Sequence, residues 1–296
     1  EFAGEIVRVG KNVKDWRPGQ RIVSDNTGHV CGRCPACERG DYLLCSEKVN
    51  LGLGYGYSGG FTKYCRIPGE ILAIHKRAIW EIPEGLEYEE AAVMDPICNA
   101  YKAIAQRSGL LPGENVVIFG TGPLGLFSVQ IAKIMGALNI VVVGLEEDVK
   151  VRFGVARQLG ATEVVNGSAE DVVKRCQEIC GGSDSIGLVV DCAGANICLK
   201  QAIEMVRCNG EIVRVGMGFK PVGFSINDIS MKAVSIIGHM AYDATSWRNS
   251  LQLLAAGRIQ VKPMITHRLG LSRWEEGFEA MANKEAIKVI LTYDFD

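Results

Sequence analysis

The sequence predicts an α/β protein in which a doubly wound parallel sheet is joined to a smaller, mainly β unit. Three observations predict it. Apolar runs alternate with amphipathic helical stretches beyond residue 115, residues 1–96 are instead rich in Gly and brief β-type runs, and 296 residues suit about two domains.

In the first unit, β-type runs lie at 5–9, 21–23 and 61–67, with turn signals at Arg17-Pro18-Gly19 and Pro68-Gly69-Glu70. The texture changes near Ala91. Helical spacing runs over 96–107, and Pro112-Gly113-Glu114 makes a turn. Six short apolar strands follow, at 116–119, 140–143, 162–165, 187–190, 211–215 and 234–237. Near-continuous apolar strands separated by helices imply a parallel sheet covered on both faces. A helix over 123–135 places Leu124, Phe127, Ile131 and Ile134 on one side, and Gly136 can end it. Ser168, with Asp171 three residues on, reads as the capped start of the helix carrying Val172, Cys176 and Ile179. After Tyr242 come a helix over 246–256 stopped by Gly257, an amphipathic stretch over 272–282 and a strand over 287–292. That tail is too short to stand alone, so it is expected to return to the first unit. The organisation read is therefore 1–96, 97–245 and 246–296. The chain opens at Glu1, without Met and directly in a strand-like run, which we read as an N-terminal truncation.

Bulk properties exclude several function classes. With 48% hydrophobic and 22% charged residues the chain is an ordinary globular one, and a net charge of -2 advertises neither nucleic acid nor an anionic membrane. No apolar run approaches the ~18 residues a bilayer requires, and no signal peptide opens the sequence. Eleven cysteines is an odd count, and seven of them (Cys65, Cys98, Cys176, Cys180, Cys192, Cys198, Cys208) are scattered through apolar or helical stretches. This is no disulfide framework, so a reducing, cytoplasmic setting is expected.

Two motifs carry chemistry. Cys31-x2-Cys34-x2-Cys37-x7-Cys45 gathers four soft ligands in a Gly-containing loop, as a structural zinc site requires; an iron–sulfur cluster is the minority reading. All four positions are cysteine, so no place is left for substrate. Gly120-Thr121-Gly122-Pro123-Leu124-Gly125 follows a strand and opens a helix, the context that makes a GxGxxG informative. Gly120 permits the turn, Gly122 the approach of a pyrophosphate and Gly125 close helix–strand packing, with the phosphates on the helix N-terminus. The acid expected about 20 residues on to hold the ribose hydroxyls is one of Glu146, Glu147 and Asp148, among which the sequence does not choose. An acidic cluster repels a 2'-phosphate, favouring NAD over NADP, although Arg152 one turn on works against that preference. Asp95 stands where the two textures meet, and before Pro96 its residue type suits an N-cap. Of the four histidines, His75 is expected to be exposed, His29 and His267 are uninformative, and His239 either touches cofactor or fills space.

With these motifs in order, the chain resembles the zinc-containing medium-chain dehydrogenase/reductase family, especially its sorbitol (polyol) and threonine dehydrogenase branches. The resemblance extends to Gly59-Gly60-Phe61, Ile82-Pro83-Glu84-Gly85, Glu90-Ala91-Ala92, Asp95-Pro96, Asp191-Cys192-Ala193-Gly194 and Gly210 through Gly216. It implies a GroES-like catalytic domain around a Rossmann domain, with Cys192, Ala193, Val215 and Gly216 joining the glycine turn in cofactor binding. It also implies a catalytic zinc acting as Lewis acid on an alcohol oxygen. In such enzymes Asp95 holds the carboxylate-or-Cys ligand position, and Glu1 matches the Glu of a Gly-His-Glu motif. The family's Cys and His ligands then fall upstream of residue 1, so Asp95 and Glu1 make only a partial catalytic set.

The activity implied is hydride transfer from a secondary alcohol (polyol, sugar alcohol or amino alcohol) to NAD. Alternatives are a zinc-free quinone or enone reductase on the same fold, against which the cysteine lobe argues, and a catalytically incompetent fragment or nucleotide-binding protein. The partners expected are a small-molecule alcohol and, by analogy, further copies in a homodimer or homotetramer through the last strand of the nucleotide sheet. Neither nucleic acid nor membrane is expected.

Overall fold

A computed structural model describes residues 1–48 and 52–295. The chain forms two compact units, one of residues 1–98, 240–280 and 288–296, the other of residues 99–239 and 281–287.

The first unit begins with β1 (Ala3–Glu5), β2 (Arg21–Ser24) and β3 (Ile79–Glu81), an antiparallel sheet in that order. The run expected over 5–9 leaves the sheet early. Ile6 still exchanges backbone hydrogen bonds with Gln20 and Gly19, but the partner turns away at Gly19 and Val7 is exposed. The run over 61–67 is not a strand either; among the described residues it has no ladder partner, and Phe61 and Tyr64 are exposed. Two short helices, α1 (Pro35–Glu38) and α2 (Gly69–Ile74), lie between β2 and β3 in the chain. His75, just after α2, is buried rather than exposed, at 1%. Its Nε2 meets Oδ2 of Asp25 at 2.5 Å and its ring lies 3.9 Å from that of Tyr42, so the flanking Lys76 and Arg77 are a poor guide to its surroundings. The helix α3 (Tyr88–Ala91) then leads into α4 (Met94–Tyr101), which widens into a π-helical segment at Lys102–Gln106.

The second unit is built on β4 (Asn115–Phe119), α5 (Pro123–Ile134), β5 (Ile140–Gly144), α6 (Arg152–Leu159), β6 (Glu163–Asn166) and α7 (Val172–Cys180). It continues through β7 (Ile186–Asp191), α8 (Asn196–Met205), β8 (Glu211–Arg214), α9 (Ile226–Ser230) and β9 (Ser235–Gly238). The six strands are parallel, in the order β6-β5-β4-β7-β8-β9. Every residue of β4, β5 and β7 is buried, which is why these strands read as unbroken apolar runs. The cap of α7 is Asp171, whose carboxylate accepts the N–H of Lys174 at 3.1 Å. Ser168 serves elsewhere, accepting the N–H of Glu146 at 3.2 Å. The chain moves outward from β4 to β6, then returns to the centre and moves outward again from β7 to β9. The strand order therefore reverses between β4 and β7, where doubly wound sheets bind ligands beyond the carboxyl ends of the strands.

The chain re-enters the first unit with α10 (Ala244–Ala255), capped by Asp243, then β10 (Ile265–Gly270), α11 (Trp274–Ala282) and β11 (Lys288–Thr292). β10 and β11 pair in parallel. Trp247 of α10 is 1% exposed and stacks on Trp80 of β3, with ring centroids 6.2 Å apart, tying the returning segment to the first sheet. Among the described residues no helix is long and apolar enough to cross a membrane.

Candidate functional site

The cysteine lobe is assembled by tight local turns. Cys34 caps α1 in an extended conformation, Cys37 lies within that helix, and Cys45 follows a single 3-10 turn at Tyr42–Leu44. The four sulfurs lie within 4.8 Å of one another, and those of Cys31 and Cys37 are 3.9 Å apart. A tetrahedron with zinc–sulfur bonds of ~2.3 Å has sulfur–sulfur edges of about 3.8 Å, so this donor set fits the ion in size and chemistry. Backbone N–H groups are aimed at the sulfurs, from Cys31 to Cys45 Sγ and from Cys34 to Cys31 Sγ, each at 3.3 Å. N–H groups of Cys37 and Ser46 pull the Cys34 thiol down to about 6, whereas burial pushes Cys37 up to about 12. Binding a cation here would draw the protons off all four sulfurs, since a metal ligand must be a thiolate. All eleven cysteines are free thiols, so no disulfide competes for these four.

Asp95 lies in the first turn of α4 rather than at its cap, because the helix already starts at Met94. Burial is the largest of the causes that raise its carboxyl to about 6; the nearby Glu1 adds to it, while Lys288 and a hydrogen bond from Tyr242 oppose it. The single Tyr242 hydroxyl proton is shared with the backbone oxygen of Asp25, and burial holds that phenol well above its ordinary value. Glu1 forms an ion pair with Lys288. A catalytic zinc takes three protein ligands and keeps a fourth position open. Among the described residues the only group of three or more candidate ligands is the cysteine lobe, so Asp95 and Glu1 do not by themselves complete such a set.

The glycine turn connects β4 to α5. Gly120 has φ +104°, which disfavours any side chain there, and its N–H bonds the carbonyl of Val143 at 2.8 Å. A Cβ on Gly125 would fall on the carbonyl oxygen of Gly120, so the first turn of α5 sits directly against the strand end. Gly122 is the N-cap and Pro123 the first helical residue, with Leu124 next. The first turn of α5 stands at the strand-order reversal, and the N–H groups at a helix start carry partial positive charge.

The three candidate acids separate by environment. Asp148 is buried, and its carboxylate accepts the N–H of Leu145 at 2.9 Å and Nη1 of Arg152 at 3.2 Å. Arg152 is itself buried and donates Nη2 to the carbonyl of Ala286 at 2.7 Å. Glu146 is exposed and accepts Nδ2 of Asn166 at 2.5 Å. Glu147 is exposed beside them. Cys192 and Ala193 follow β7, and Val215 and Gly216 follow β8, so both pairs stand at the same carboxyl edge as the glycine turn. His239 sits beyond β9, with Nε2 3.2 Å from Oδ1 of Asn99. Sequence reasoning missed Tyr242 and Lys288 beside Asp95, and the Asp191–Arg214 ion pair beneath the β7 and β8 loops. These partners lie 147, 193 and 23 residues apart, and no local pattern announces them.

Comparison with known proteins agrees with this arrangement. Residues 123–256 match the zinc-binding dehydrogenase family and residues 1–77 the alcohol dehydrogenase GroES-like domain. The chain is 71% identical over all of its length to the uncharacterized zinc-type alcohol dehydrogenase-like protein YdjL of Escherichia coli (strain K12), covering 83% of that protein. It is 32% identical to the sorbitol dehydrogenase of Halalkalibacterium halodurans over 99% of this chain and 82% of that one. Among solved structures, 2R,3R-butanediol dehydrogenase from Bacillus subtilis superposes with a TM-score of 0.85 at 29% identity, over 99% of this chain and 80% of that one. The chain belongs to the zinc-binding alcohol dehydrogenases that carry a GroES-like domain.

Proposed function

We propose that this dehydrogenase moves a hydride from a secondary alcohol of a polyol, sugar alcohol or amino alcohol to NAD. The observation that carries the cofactor assignment is the division of labour among the acids. Asp148 and Arg152 neutralise each other in a buried pair, so that guanidinium is withdrawn from any 2'-phosphate. Glu147 remains exposed near the glycine turn, with its carboxylate available to accept hydrogen bonds from two ribose hydroxyls. In this reading the N–H groups of Gly122, Leu124 and Gly125 bind the pyrophosphate, and the loops at Cys192–Ala193 and Val215–Gly216 bear on the other half of the dinucleotide. The nicotinamide ring, when bound, supplies the hydride acceptor.

The four-cysteine lobe is proposed to hold a structural zinc, whose contribution is stability. Asp95 and Glu1 are proposed as part of the ligand set that a catalytic zinc would need, a set these two residues do not complete, with Tyr242 orienting Asp95 and Lys288 holding Glu1. The substrate class rests on the sorbitol and butanediol dehydrogenases among the relatives, both of which are named for vicinal alcohols. We also propose self-association through β9, which ends the sheet with Ile236 exposed. Size-exclusion chromatography showing a monomer would remove that part.

Fluorescence titration with NADH and NADPH in parallel tests the cofactor assignment. Tighter binding of NADH, weakened by Glu147→Gln, is the expected result; equal or tighter binding of NADPH overturns it. A turnover screen over sorbitol, other polyols, 2,3-butanediol and threonine with NAD tests the substrate class, which fails if only primary alcohols or enones react.

A further inference from the structure

The Asp191–Arg214 pair sits under the loops that follow β7 and β8. Asp191 ends β7 and is 0% exposed. One carboxylate oxygen accepts the N–H groups of Ala193 at 3.0 Å and Gly194 at 2.9 Å, which fixes the turn after the strand. Its other oxygen pairs with Nη1 of Arg214, the last residue of β8. The second arm of the same guanidinium, Nη2, donates to the carbonyl of Gly194 at 2.6 Å. The backbone oxygen of Asp191 accepts the N–H groups of Val215 at 2.9 Å and Gly216 at 2.7 Å. One aspartate and one arginine therefore bind both loops to each other.

The two loops are also in backbone contact. Gly194 has φ +76°, and a Cβ there would stand 2.5 Å from the carbonyl oxygen of Met217. Gly216 and Gly218 press on the Gly194 backbone in the same way. The first loop reaches the phosphate turn as well, since a Cβ at Gly120 would lie 3.3 Å from the nitrogen of Ala193. A charged fork at the end of a buried strand carries a desolvation cost that an apolar residue there would avoid. What it adds is geometry: a planar guanidinium with two arms fixes a relative position that apolar packing leaves looser.

A doubly wound sheet binds the two mononucleotide halves of a dinucleotide on its two βαβαβ halves. The glycine turn and the acids lie on the β4–β6 half, so the loops after β7 and β8 face the nicotinamide half. We propose that Asp191 and Arg214 are positioning residues that set these loops as the floor for the nicotinamide mononucleotide. This rests on the dinucleotide reading above and adds the device that shapes one half of that site.

The test measures NADH and AMP affinity by calorimetry for the full chain, the Arg214→Met variant and the Arg214→Lys variant. AMP reports the adenosine half alone. The expected result for Arg214→Met is NADH binding weakened about tenfold or more, the order of one lost charge-assisted hydrogen bond, with AMP binding held within about twofold. Arg214→Lys keeps a cation beside Asp191 but lacks the second arm to Gly194, so it is expected to fall between the two. NADH and AMP weakened together, or NADH within about twofold of the parent, overturns the positioning role while leaving the dinucleotide reading intact. If the parent chain binds neither ligand, the dinucleotide reading itself fails, and this inference with it. Should Arg214→Met not fold by circular dichroism, the NADH-to-AMP ratio of Arg214→Lys decides by the same criterion.

Discussion

Arg152→Met is the perturbation whose cost the structure lets us work out most fully. The Arg152 and Asp148 side chains are only 7% and 9% exposed, with Nη1 3.2 Å from Oδ1. The other arm of the guanidinium satisfies the Ala286 carbonyl at 2.7 Å and so holds residues 281–287 to the second unit. Methionine fills much of the volume but removes both bonds. Asp148 is left buried, with the Leu145 N–H as its remaining hydrogen bond in this group. Breaking a buried pair from one side costs about 3–5 kcal/mol, because the surviving charge stays desolvated. The bare carbonyl overlaps with that figure rather than adding to it in full. At about 2–4 °C per kcal/mol for a unit of this size, the melting point falls by roughly 6–20 °C. The diagnostic comparison is Asp148→Asn together with Arg152→Met. If the stranded charge is the main cost, the double variant recovers about 1–3 kcal/mol relative to Arg152→Met alone. Far-UV circular dichroism in urea is the suitable probe, since Trp16, Trp80, Trp247 and Trp274 all lie in the first unit and fluorescence would report elsewhere. An Arg152→Met variant within about 1 kcal/mol of the parent, or a double variant less stable than the single, refutes the reasoning.

Three further outcomes are expected. Gly125→Ala puts a Cβ onto the Gly120 carbonyl oxygen, so it should cost about 1–3 kcal/mol in urea and abolish saturable NADH binding; unaltered binding would show that the turn is not the phosphate site. Cys37→Ser removes a buried sulfur from the four-cysteine lobe, so zinc per chain by elemental analysis should drop by one ion and the lobe should become sensitive to protease, whereas unchanged zinc content would place the metal elsewhere. The hydrogen bonds from Arg268 hold the Glu89 carboxyl below its ordinary value, so their stabilisation is present above the unfolded pKa of ~4.3 and is lost as pH falls through the lower folded value. Because Arg268 is half exposed, Glu89→Gln should cost less than about 1 kcal/mol at pH 7 and nothing at low pH; a gap that widens on acidification would contradict this.

What was legible in the sequence is what short range decides. Strands β4, β5 and β7 of the second unit are buried along their whole length, and each leaves a contiguous apolar run that survives any change in its neighbours. The cysteine lobe is legible for the same reason, since its four ligands fall within one loop and the turns that bring them together are encoded between them. The glycine turn also carries its own context of strand before and helix after. The run at 61–67 failed because β-branched and aromatic composition describes a surface that wants a partner, and the ladder partner is a property of the fold. His75 failed in a similar way: its basic neighbours suggest water, but its carboxylate, Asp25, lies 50 residues upstream.

The same distinction explains the acids at 146–148. By residue type the three are interchangeable, and the sequence rightly left them open. They separate only when Arg152 turns inward to Ala286, a contact across 134 residues, and takes Asp148 with it. That single pairing removes one acid and one guanidinium from the surface. In the proposed reading, a preference for a cofactor without a 2'-phosphate would be set by a buried arginine as much as by an exposed glutamate. A chain with the same three acids but an apolar residue at 152 would leave Asp148 unpaired, and an arginine held at the surface there would invite the phosphate. Which acid is free is decided by its partner, and the partner is chosen by the tertiary fold.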